Sequence, residues 1–564
     1  MVDFESEIKK VLIKKLGNID VSLEKPKNHE FGDYAFPCFV LSKQFKKNPV
    51  EIAKDLAVDI PKSKLIKEIK AQGPYLNFFI NKNLLSEDVL REIFARKDKF
   101  GCGKSRKEKV MVEYCQVNTH KSFHVGHLRG TILGSSIVNI LRFSGYKTLS
   151  VNYQGDIGTH VAKSIWYLKK HKLKEPKTLK GRWLGTIYQK ANQELSLASG
   201  EAADKYKQEV SEILQKLEAG DKELAKIWGK TRKWCLDDFE KFYKELGVSF
   251  DNYFFESEFE KPGKELVDNM LKDGTAVKSE GAIIIDLQKF GLGNFLLLKS
   301  DGTALYSTKD LALAKQKFEK FKIDSSLYVV GSEQRLYFQQ LFKTLELMGF
   351  KKDCRHISYE LVNLEGGKIS SREGDLIYAE DLLEQIKEKA LKGVEERHSD
   401  WKETEKKDSA HKIAVGALKY SFLNQDNNKN IMFSPERSLA FEGETGPYVQ
   451  YAHARICAIL RKNKEKINDD VDFGIFSNPA ENLLVSHLSL YQEAVEDACK
   501  NYQPQRICTY LFSLAKLFNE FYRDCPILKA EEKEKKARLL LVSCTKEVLK
   551  SGLSLLGIDA PERM

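Results

Sequence analysis

Apolar residues recur along the chain with two periods, one typical of strands and one typical of helices. Residues 109–117 form a mostly apolar run that predicts a buried strand. Residues 124–145 have helical spacing up to Gly145, a common helix terminator, and residues 147–156 return to the strand pattern. A strand, a loop, a helix and a second strand in this order predict a β-α-β unit of a parallel sheet.

The same two patterns extend the prediction to most of the chain. Residues 281–287, 294–300 and 325–332 are predicted strands with helices between them. Residues 163–250 have the spacing of charged amphipathic helices, and from about Asp408 the pattern is helical almost to the end.

The beginning of the chain combines an amphipathic helix with a strand pattern at 66–81 that a Gly-Pro turn interrupts. Because a single hydrophobic core stops growing near about 250–300 residues, a chain of 564 residues is expected to form several domains. We predict an α/β multidomain protein: a Rossmann-like parallel-sheet domain with helical insertions, a small α+β N-terminal domain and an all-α C-terminal domain. The predicted boundaries are 1–85 for the N-terminal domain, 86–108 for a linker, 109–405 for the parallel-sheet domain with its insertion at about 163–250, and 406–564 for the helical domain.

Composition narrows the class of protein without identifying one. Hydrophobic residues make up 42% and charged residues 31%, as in soluble globular proteins. No apolar run approaches the roughly 20 residues of a membrane helix, and the N-terminus lacks a signal peptide's apolar core, so we expect a cytoplasmic protein without membrane contact. Ten cysteines without CxxC spacing argue against structural zinc and a disulfide framework. The net charge of +11 allows a polyanionic partner.

The sequence HVGH, residues 124–127, stands where a predicted loop meets the predicted helix. A helix N-terminus carries a partial positive charge and unpaired N–H groups, which favour phosphate. His124 and His127 can donate hydrogen bonds to a phosphate in a crowded transition state. Gly126 leaves room for a flat base against the backbone, and Lys121 adds a full positive charge. For the motif alone, a zinc site and a buried histidine pair stay open as alternatives.

The surrounding segment resembles the signature region of class I aminoacyl-tRNA synthetases and, within that class, the arginyl-tRNA synthetases. The family pattern Asn-x-x-Lys-x-x-His-x-Gly-His-x-Arg falls here on Asn118, Lys121, His124, Gly126, His127 and Arg129. GDIGT, from Gly155 to Thr159, resembles a second motif of the family. The resemblance implies that ATP, accompanied by magnesium, binds at His124, Gly126 and His127.

The segment KISSR, residues 368–372, resembles the mobile lysine-bearing loop of the class in its arginyl form. A Gly-flanked loop with Lys368 and Arg372 can close over pyrophosphate and neutralise its charge. The resemblance implies that Lys368 and Ser370 also bind ATP. Glu373 departs from the usual basic residue and weakens the local positive field. The catalytic residues implied by the resemblance are His124, His127, Lys121, Lys368 and Arg372.

A pocket for arginine needs a carboxylate that can accept two parallel N–H bonds from the planar guanidinium. Tyr306 and Asp310 are spaced i, i+4, so on a helix they face the same way. The segment around them, YSTKDLA, resembles the family's Tyr-x-Thr-Arg-Asp-x-Ala, with Lys309 in place of the usual Arg. The arginine-binding residues implied by the resemblance are Asn118, His127, Tyr306, Asp310 and Gln334.

Tyr448, Tyr451 and Arg455 form one helical stripe, with spacing i, i+3, i+7. Such a stripe is core in most proteins, and the alternative is stacking on splayed anticodon bases. The segment resembles the family's anticodon-binding helix, and LLGIDAPERM resembles the family's C-terminus. The tRNA-binding residues implied by the resemblance are Tyr448, Tyr451, Arg455, Tyr522 and Met564, with Tyr75 and Asn77 of the N-terminal domain at the tRNA elbow.

The resemblance covers nearly the whole chain, and it implies an arginine–tRNA ligase that consumes ATP and forms AMP and pyrophosphate for protein synthesis. The expected partners are L-arginine, ATP and tRNA(Arg), and we expect a monomer. HVGH and KISSR alone support only a class I synthetase, so specificity for another amino acid stays open. A tRNA-binding paralogue without catalysis is the second alternative.

Overall fold

The computed structural model describes residues 3–17, 19–26, 29–365 and 378–564. The helices are α1 (Phe4–Leu16), α2 (Ser42–Phe45), α3 (Pro49–Asp59), α4 (Lys82–Arg96), α5 (Val125–Phe143), α6 (Thr159–Lys170), α7 (Lys180–Leu197), α8 (Glu201–Glu218), α9 (Lys222–Glu245), α10 (Glu260–Lys272), α11 (Tyr306–Phe321), α12 (Arg335–Leu347), α13 (Ala379–Arg397), α14 (Glu403–Leu423), α15 (Pro435–Ser438), α16 (Gly446–Lys462), α17 (Pro479–Leu488), α18 (Tyr491–Asn501), α19 (Gln505–Asp524) and α20 (Glu532–Leu555).

The strands are β1 (Tyr34–Pro37), β2 (Ile66–Gln72), β3 (Tyr75–Ile80), β4 (Lys109–Glu113), β5 (Lys147–Gln154), β6 (Asn252–Phe255), β7 (Val277–Ser279), β8 (Ala282–Asp286), β9 (Asn294–Leu298), β10 (Ser325–Gly331), β11 (Asp353–Tyr359), β12 (Val362–Leu364) and β13 (Ile431–Phe433). The chain divides into two compact units. The smaller unit contains residues 1–100, 452–492 and 513–551, and the larger unit contains residues 101–451, 493–512 and 552–564.

The larger unit is built on a five-stranded sheet with the order β11-β10-β4-β5-β6, in which every neighbouring pair is parallel. The predicted β-α-β unit is β4, α5 and β5, and the predicted α/β fold class is confirmed. Central strands of a parallel sheet are covered on both faces, which explains the nearly uninterrupted apolar sequence of β4 and β10. Met111, Val151, Phe254 and Leu313 form the core between the sheet and α11.

Two of the strands predicted for this sheet lie elsewhere. β8 and β9 pair antiparallel with each other and form a separate sheet with β7, in the order β7-β8-β9. A short 3-10 turn, Gln288–Phe290, joins them instead of a helix. The sheet positions are taken by β6 and β11, which the apolar pattern did not predict because both are edge strands with few fully buried residues.

The segment predicted as a helical insertion contains α6 to α9. Val161 and Ile165 of α6 pack with Leu217 and Leu224, and Trp166 packs with Val210 in a second small core. These helices therefore bury apolar faces against one another, as their amphipathic spacing predicted. After residue 408 the structure consists of helices and the loops that connect them, except for β13, which pairs in parallel with β12.

In the smaller unit, three antiparallel strands in the order β1-β3-β2 form the expected hairpin sheet. β2 and β3 join at Gly73, whose φ of 55° is accessible to glycine without strain. The stretch predicted as a linker, 86–108, begins inside α4, where Val89, Leu90 and Ile93 are buried. This amphipathic helix belongs to the core of the unit, and the division into domains stays a prediction.

A buried ion pair connects a central strand of the parallel sheet to the helix α11. Lys317 of α11 pairs with Glu113 of β4, and their side chains are 0% and 4% exposed. Glu113 also accepts a hydrogen bond from Gln116 Nε2 at 2.9 Å, and Lys317 Nζ lies 4.2 Å from the ring centroid of Tyr328. Removing one partner would leave the other charge buried and unpaired.

We expect Lys317→Met to destabilise the larger unit by about 3–5 kcal/mol, because Glu113 would lose its counter-ion in a dry environment. Urea unfolding monitored by circular dichroism measures this as a lower midpoint. Lys320→Met on the exposed side of the same helix is the control and should change the free energy of unfolding by less than about 0.5 kcal/mol. Equal effects of the two substitutions would contradict the role of the pair.

Candidate active site

The connection from β4 to α5 has an unusual backbone. Cys115, Gln116 and His120 have positive φ angles of 80°, 56° and 60°. Each such non-glycine residue costs on the order of 1–3 kcal/mol. Polar contacts offset the cost: Gln116 N donates to Asn152 Oδ1 at 3.1 Å, and His120 Nε2 lies 2.8 Å from Thr231 Oγ1. The connection is therefore held in one conformation as it enters HVGH.

The two HVGH histidines cap α5 with their side chains. Gly126 N donates to His124 Nδ1 at 3.1 Å, and His124 N donates to His127 Nδ1 at 3.2 Å. The two rings stack with their centroids 3.7 Å apart. The sequence predicted unpaired N–H groups here, but the imidazoles satisfy part of the first turn. A Cβ at Gly126 would lie 3.0 Å from the His124 ring, so glycine permits this close approach.

Both imidazoles are neutral at pH 7. Burial, assisted by the charge of Lys121, lowers the pKa of His124 to about 4. Burial lowers the pKa of His127 well below its ordinary value, and His124 and Lys121 act in the same direction. Because Nδ1 of each ring accepts a backbone hydrogen bond, the proton of each neutral ring is on Nε2. Each histidine can therefore donate one hydrogen bond to a phosphate oxygen.

Asn118 lies on the loop that precedes α5 and packs against GDIGT. A Cβ at Gly155 would be 2.6 Å from Asn118 Oδ1 and 3.0 Å from Glu256 Oε1, so glycine brings these side chains together. Lys121 lies on the same loop, with its Nζ 5.7 Å from the ring centroid of Tyr188 in the helical insertion.

The aspartate of GDIGT has a structural role. Asp156 is fully buried and accepts hydrogen bonds from Ser257 N at 2.9 Å and Ser257 Oγ at 2.8 Å. Arg232 of α9 pairs with it at 2.8 Å. Asp156 thereby fixes the ends of β5 and β6 to the helical insertion, beside Gly155 and Asn118.

Asp310 lies one helical turn after Tyr306 on α11, as predicted. Tyr337 of α12 donates a hydrogen bond to Asp310 Oδ2, while Asp310 Oδ1 is buried and has no partner among the described residues. The side chain of Tyr306 is 57% exposed, and its ring lies 5.0 Å from that of Tyr337. One oxygen of the carboxylate is therefore held in place, and the other can accept a hydrogen bond from a ligand.

Asp310 belongs to a largely buried cluster of charged groups whose members are Glu113, Glu256, Lys309, Asp310 and Lys317. Glu113 pairs with Lys317, and Glu256 Oε2 lies 3.4 Å from Lys309 Nζ. Burial raises the pKa of Asp310 to about 7, the hydrogen bond from Tyr337 opposes this rise, and the two glutamates add to it. The cluster has three carboxyl groups and two lysines, so a cationic ligand would complete its charge balance.

The structure brings only part of the predicted arginine site together. Tyr306 and Asp310 are neighbours, and Asn118 is linked to them through Glu256 and Lys309. Gln334 ends the 3-10 turn after β10 and is exposed. In the described part of the chain, neither Gln334 nor His127 forms a hydrogen bond with Asp310, so their role in arginine binding stays a prediction.

The KISSR residues Lys368, Ser370 and Arg372 lie outside the described residues. The next described residue, Tyr378, forms an isolated antiparallel bridge with His124. Ala379 N also donates to Phe123 O at 3.0 Å. The segment that carries KISSR is therefore followed directly by residues that contact HVGH.

The predicted tRNA-binding residues fall into separate groups. In the larger unit, Tyr451 and Met564 line one cavity of about 230 Å³ together with Phe441, and Tyr448 packs on Phe512 with ring centroids 5.5 Å apart.

In the smaller unit, Arg455 donates to Asn519 Oδ1 at 2.9 Å and lies over the half-exposed ring of Tyr522 at 5.4 Å. Tyr75 packs edge-on against Phe39, with ring centroids 6.1 Å apart. Asn77 is 4% exposed, and its Nδ2 donates to Gln72 Oε1 at 3.5 Å. All of these roles in tRNA binding remain predictions.

Three residues of the candidate pocket were not predicted. Tyr337 lies three residues after Gln334, in a segment where the resemblance implies a role for the glutamine alone. Tyr153 is the last residue but one of β5, and its buried hydroxyl has no hydrogen-bond partner among the described residues. Glu256 follows β6, an unpredicted strand. Position relative to the strands could have indicated residues of this kind, because ligands bind at the carboxyl ends of the strands in parallel α/β sheets.

Comparison with known proteins agrees with this geometry along the whole chain. The models of three domain families match: the class I (R) tRNA synthetase catalytic domain at 89–434, the DALR anticodon-binding domain at 449–564 and the arginyl-tRNA synthetase N-terminal domain at 3–80. The arginine–tRNA ligase of Bdellovibrio bacteriovorus is 39% identical over 96% of this chain and 94% of its own. That of Clostridioides difficile is 36% identical over the full length of both chains.

Solved structures give the same result. The arginyl-tRNA synthetase of Thermus thermophilus superposes with a TM-score of 0.82 at 28% identity, over 99% of both chains. A parallel sheet with a histidine-capped helix after its first central strand, matched by these domains, defines a class I aminoacyl-tRNA synthetase. Within that class, the chain belongs to the arginyl-tRNA synthetase family. The resemblance in the sequence motifs is confirmed.

We expect Tyr337→Phe to raise the KM for arginine about tenfold with a smaller change in kcat, because Asp310 would lose the hydrogen bond that fixes its orientation. Steady-state aminoacylation with varied arginine measures the effect. Tyr328→Phe is the matched control, since it also removes a buried hydroxyl, one that has no partner among the described residues. An unchanged arginine KM in Tyr337→Phe would contradict the role of Tyr337.

Proposed function

We propose that this chain activates L-arginine with ATP and transfers the arginyl group to tRNA(Arg). The free oxygen of Asp310 carries the assignment of the amino acid, because a buried, unpaired carboxylate acceptor suits a planar cation with several N–H donors. The exposed ring of Tyr306 would cover the guanidinium by cation–π stacking. Lysine has a single ammonium on a flexible stem and would satisfy this geometry less well.

In the first step, a carboxylate oxygen of arginine attacks the α-phosphorus of ATP in line, and pyrophosphate leaves. The Nε2–H groups of His124 and His127 would donate to the phosphate oxygens as charge develops there. Lys121 adds positive charge beside them, and Lys368 and Arg372 are proposed to neutralise the leaving pyrophosphate. A preorganised donor of this kind contributes about 3 kcal/mol to transition-state stabilisation.

In the second step, a terminal ribose hydroxyl of the tRNA attacks the carbonyl carbon of arginyl-adenylate, and AMP leaves. Magnesium is proposed to enter with ATP, bound to its phosphates, as is usual for this ion. Among residues 3–17, 19–26, 29–365 and 378–564, no group of three or more His, Cys, Asp or Glu side chains is arranged to hold a metal.

No helix in the described part of the chain is long and apolar enough to cross a membrane. We propose a cytoplasmic location and a monomeric state, as expected for a synthetase that meets free tRNA. Density-gradient or light-scattering measurement of the purified chain would test the monomer directly.

We expect ATP–pyrophosphate exchange that depends on arginine, measured with and without tRNA(Arg) across the standard amino acids. The hydrogen-bonding geometry of the pocket should make lysine at least about a hundredfold poorer than arginine, because its single ammonium would leave one buried hydrogen-bond partner unsatisfied. Exchange with another amino acid only would favour a different class I specificity, and no exchange with any would favour a non-catalytic tRNA-binding chain.

We expect kcat/KM for arginine to fall about tenfold per pH unit below pH 7 and to level off above it. The pKa of Asp310 is about 7, and only its ionised form offers the carboxylate that guanidinium needs. The HVGH histidines do not produce this limb, since the pKa of His124 is about 4. Asp310→Asn should lose most arginine activation, keep its tRNA affinity and show no limb near pH 7. A limb that persists in Asp310→Asn would contradict the assignment.

A further inference from the structure

One short segment of the helical insertion has a high density of positive charge. Residues 169–182 hold six lysines, one arginine and one glutamate, a net charge of +6, whereas the whole chain has +11. The segment runs from the end of α6, through the exposed connection 171–179, into the start of α7. A net charge concentrated in this way points to a polyanionic partner more directly than the total does.

The cations at the two ends of the segment are already neutralised. Lys169 pairs with Glu223 at 3.0 Å, and Arg182 pairs with Asp381 at 2.7 Å. Glu175, the single carboxylate of the segment, lies 2.9 Å from Lys230 and 3.6 Å from Lys180, and Lys230 lowers its pKa. These pairs fix the ends of the connection and leave its middle positively charged.

Three lysines in the middle, Lys172, Lys174 and Lys177, are exposed and form no salt bridge within the described residues. Lys172 has a positive φ of 47°, which turns the chain away from α6. Lys170, just before them, is held by Glu194 at 2.7 Å and by the ring of Tyr206. We call Lys172, Lys174 and Lys177 the lysine tip. The tip is exposed to solvent, and ion pairs fix both ends of the connection that carries it.

The distance from the candidate active site limits what can reach the lysine tip. α6 begins at Thr159, the last residue of GDIGT, and has 12 residues. At about 1.5 Å per residue, the tip lies about 18 Å along α6 from the loop that packs on Asn118. A tRNA whose 3′ end enters the site must place the phosphates of its acceptor arm within this range.

We propose that the lysine tip binds the phosphate backbone of the tRNA acceptor arm. This inference rests on the proposed function. Lysine ammonium groups are point charges suited to phosphate without sequence readout, so the tip supplies affinity and orientation rather than base recognition.

The test compares two triple variants that remove the same charge from the same helical insertion. Lys172→Ala, Lys174→Ala and Lys177→Ala together remove the tip, whereas Lys205→Ala, Lys207→Ala and Lys216→Ala remove three exposed lysines of α8. We expect the tip variant to weaken tRNA binding about tenfold near 150 mM salt and to reduce the slope of log K against log salt by about 2–3. The α8 variant should change neither quantity appreciably.

The same measurement with a minihelix of the acceptor arm locates the contact. The tip variant should lose as much affinity for the minihelix as for the whole tRNA, and at saturating tRNA its KM values for arginine and ATP should be those of the wild type. Equal losses in both triple variants, or a loss for whole tRNA that disappears with the minihelix, would overturn the proposal. Wild-type arginine activation tests the proposed function separately, so the two failures can be told apart.

Discussion

The buried carboxylate of Asp310, which forms no ion pair in the part of the chain that the structure describes, is the constraint on which the candidate site depends. Transfer of a charged group from water into a protein interior costs several kcal/mol unless partners replace its hydration. Glu113 and Glu256 have lysine partners, whereas Asp310 accepts a hydrogen bond from the hydroxyl of Tyr337 and forms no ion pair within the described residues. The protein keeps this carboxyl near the midpoint of its titration at pH 7. A guanidinium therefore gains the full charge pairing that the fold alone does not provide.

The sheet explains why these groups meet. β4, β5 and β10 are adjacent and parallel, so their carboxyl ends open at one edge. The strained connection 115–120, the GDIGT loop and the turn before α12 all start at that edge, and each brings one part of the site. α5 starts there as well, which places the neutral histidines beside the charged cluster. Binding at the carboxyl ends of parallel strands follows from this topology.

The sequence predicts the parts of the structure that have a strong local period or a motif. The β4-α5-β5 unit and the stacked helices α6 to α9 follow from apolar spacing, and HVGH falls at the N-terminus of α5, as expected. β6 and β11 were not predictable by this route, because β6 has four residues and the apolar residues of β11 are interrupted by polar and charged ones. The antiparallel pairing of β8 with β9 was also missed, since apolar spacing gives a strand but not its partner.

Within the site, the sequence predicts some of the residues that take part but not the contacts between residues of different helices. Asp310 and Tyr306 followed from i, i+4 spacing together with the resemblance, whereas Tyr337 comes from another helix and depends on tertiary packing. The same limit applies to protonation. HVGH indicates phosphate chemistry, but the neutral state of both rings and the position of their protons depend on burial and on the two backbone hydrogen bonds.

Electrostatic interactions in this protein occur both between close, buried groups and at exposed groups. Their dependence on salt concentration should distinguish the two kinds. In the Asp310 cluster the groups are largely buried and close together, so screening by ions is weak. The lysine tip is exposed, and at physiological ionic strength its field decays over about 8 Å. Recognition of the amino acid should therefore be nearly insensitive to salt, whereas capture of a polyanion should weaken steeply. The total charge of the chain predicts neither behaviour, because the first depends on one unpaired carboxylate and the second on where the lysines are placed.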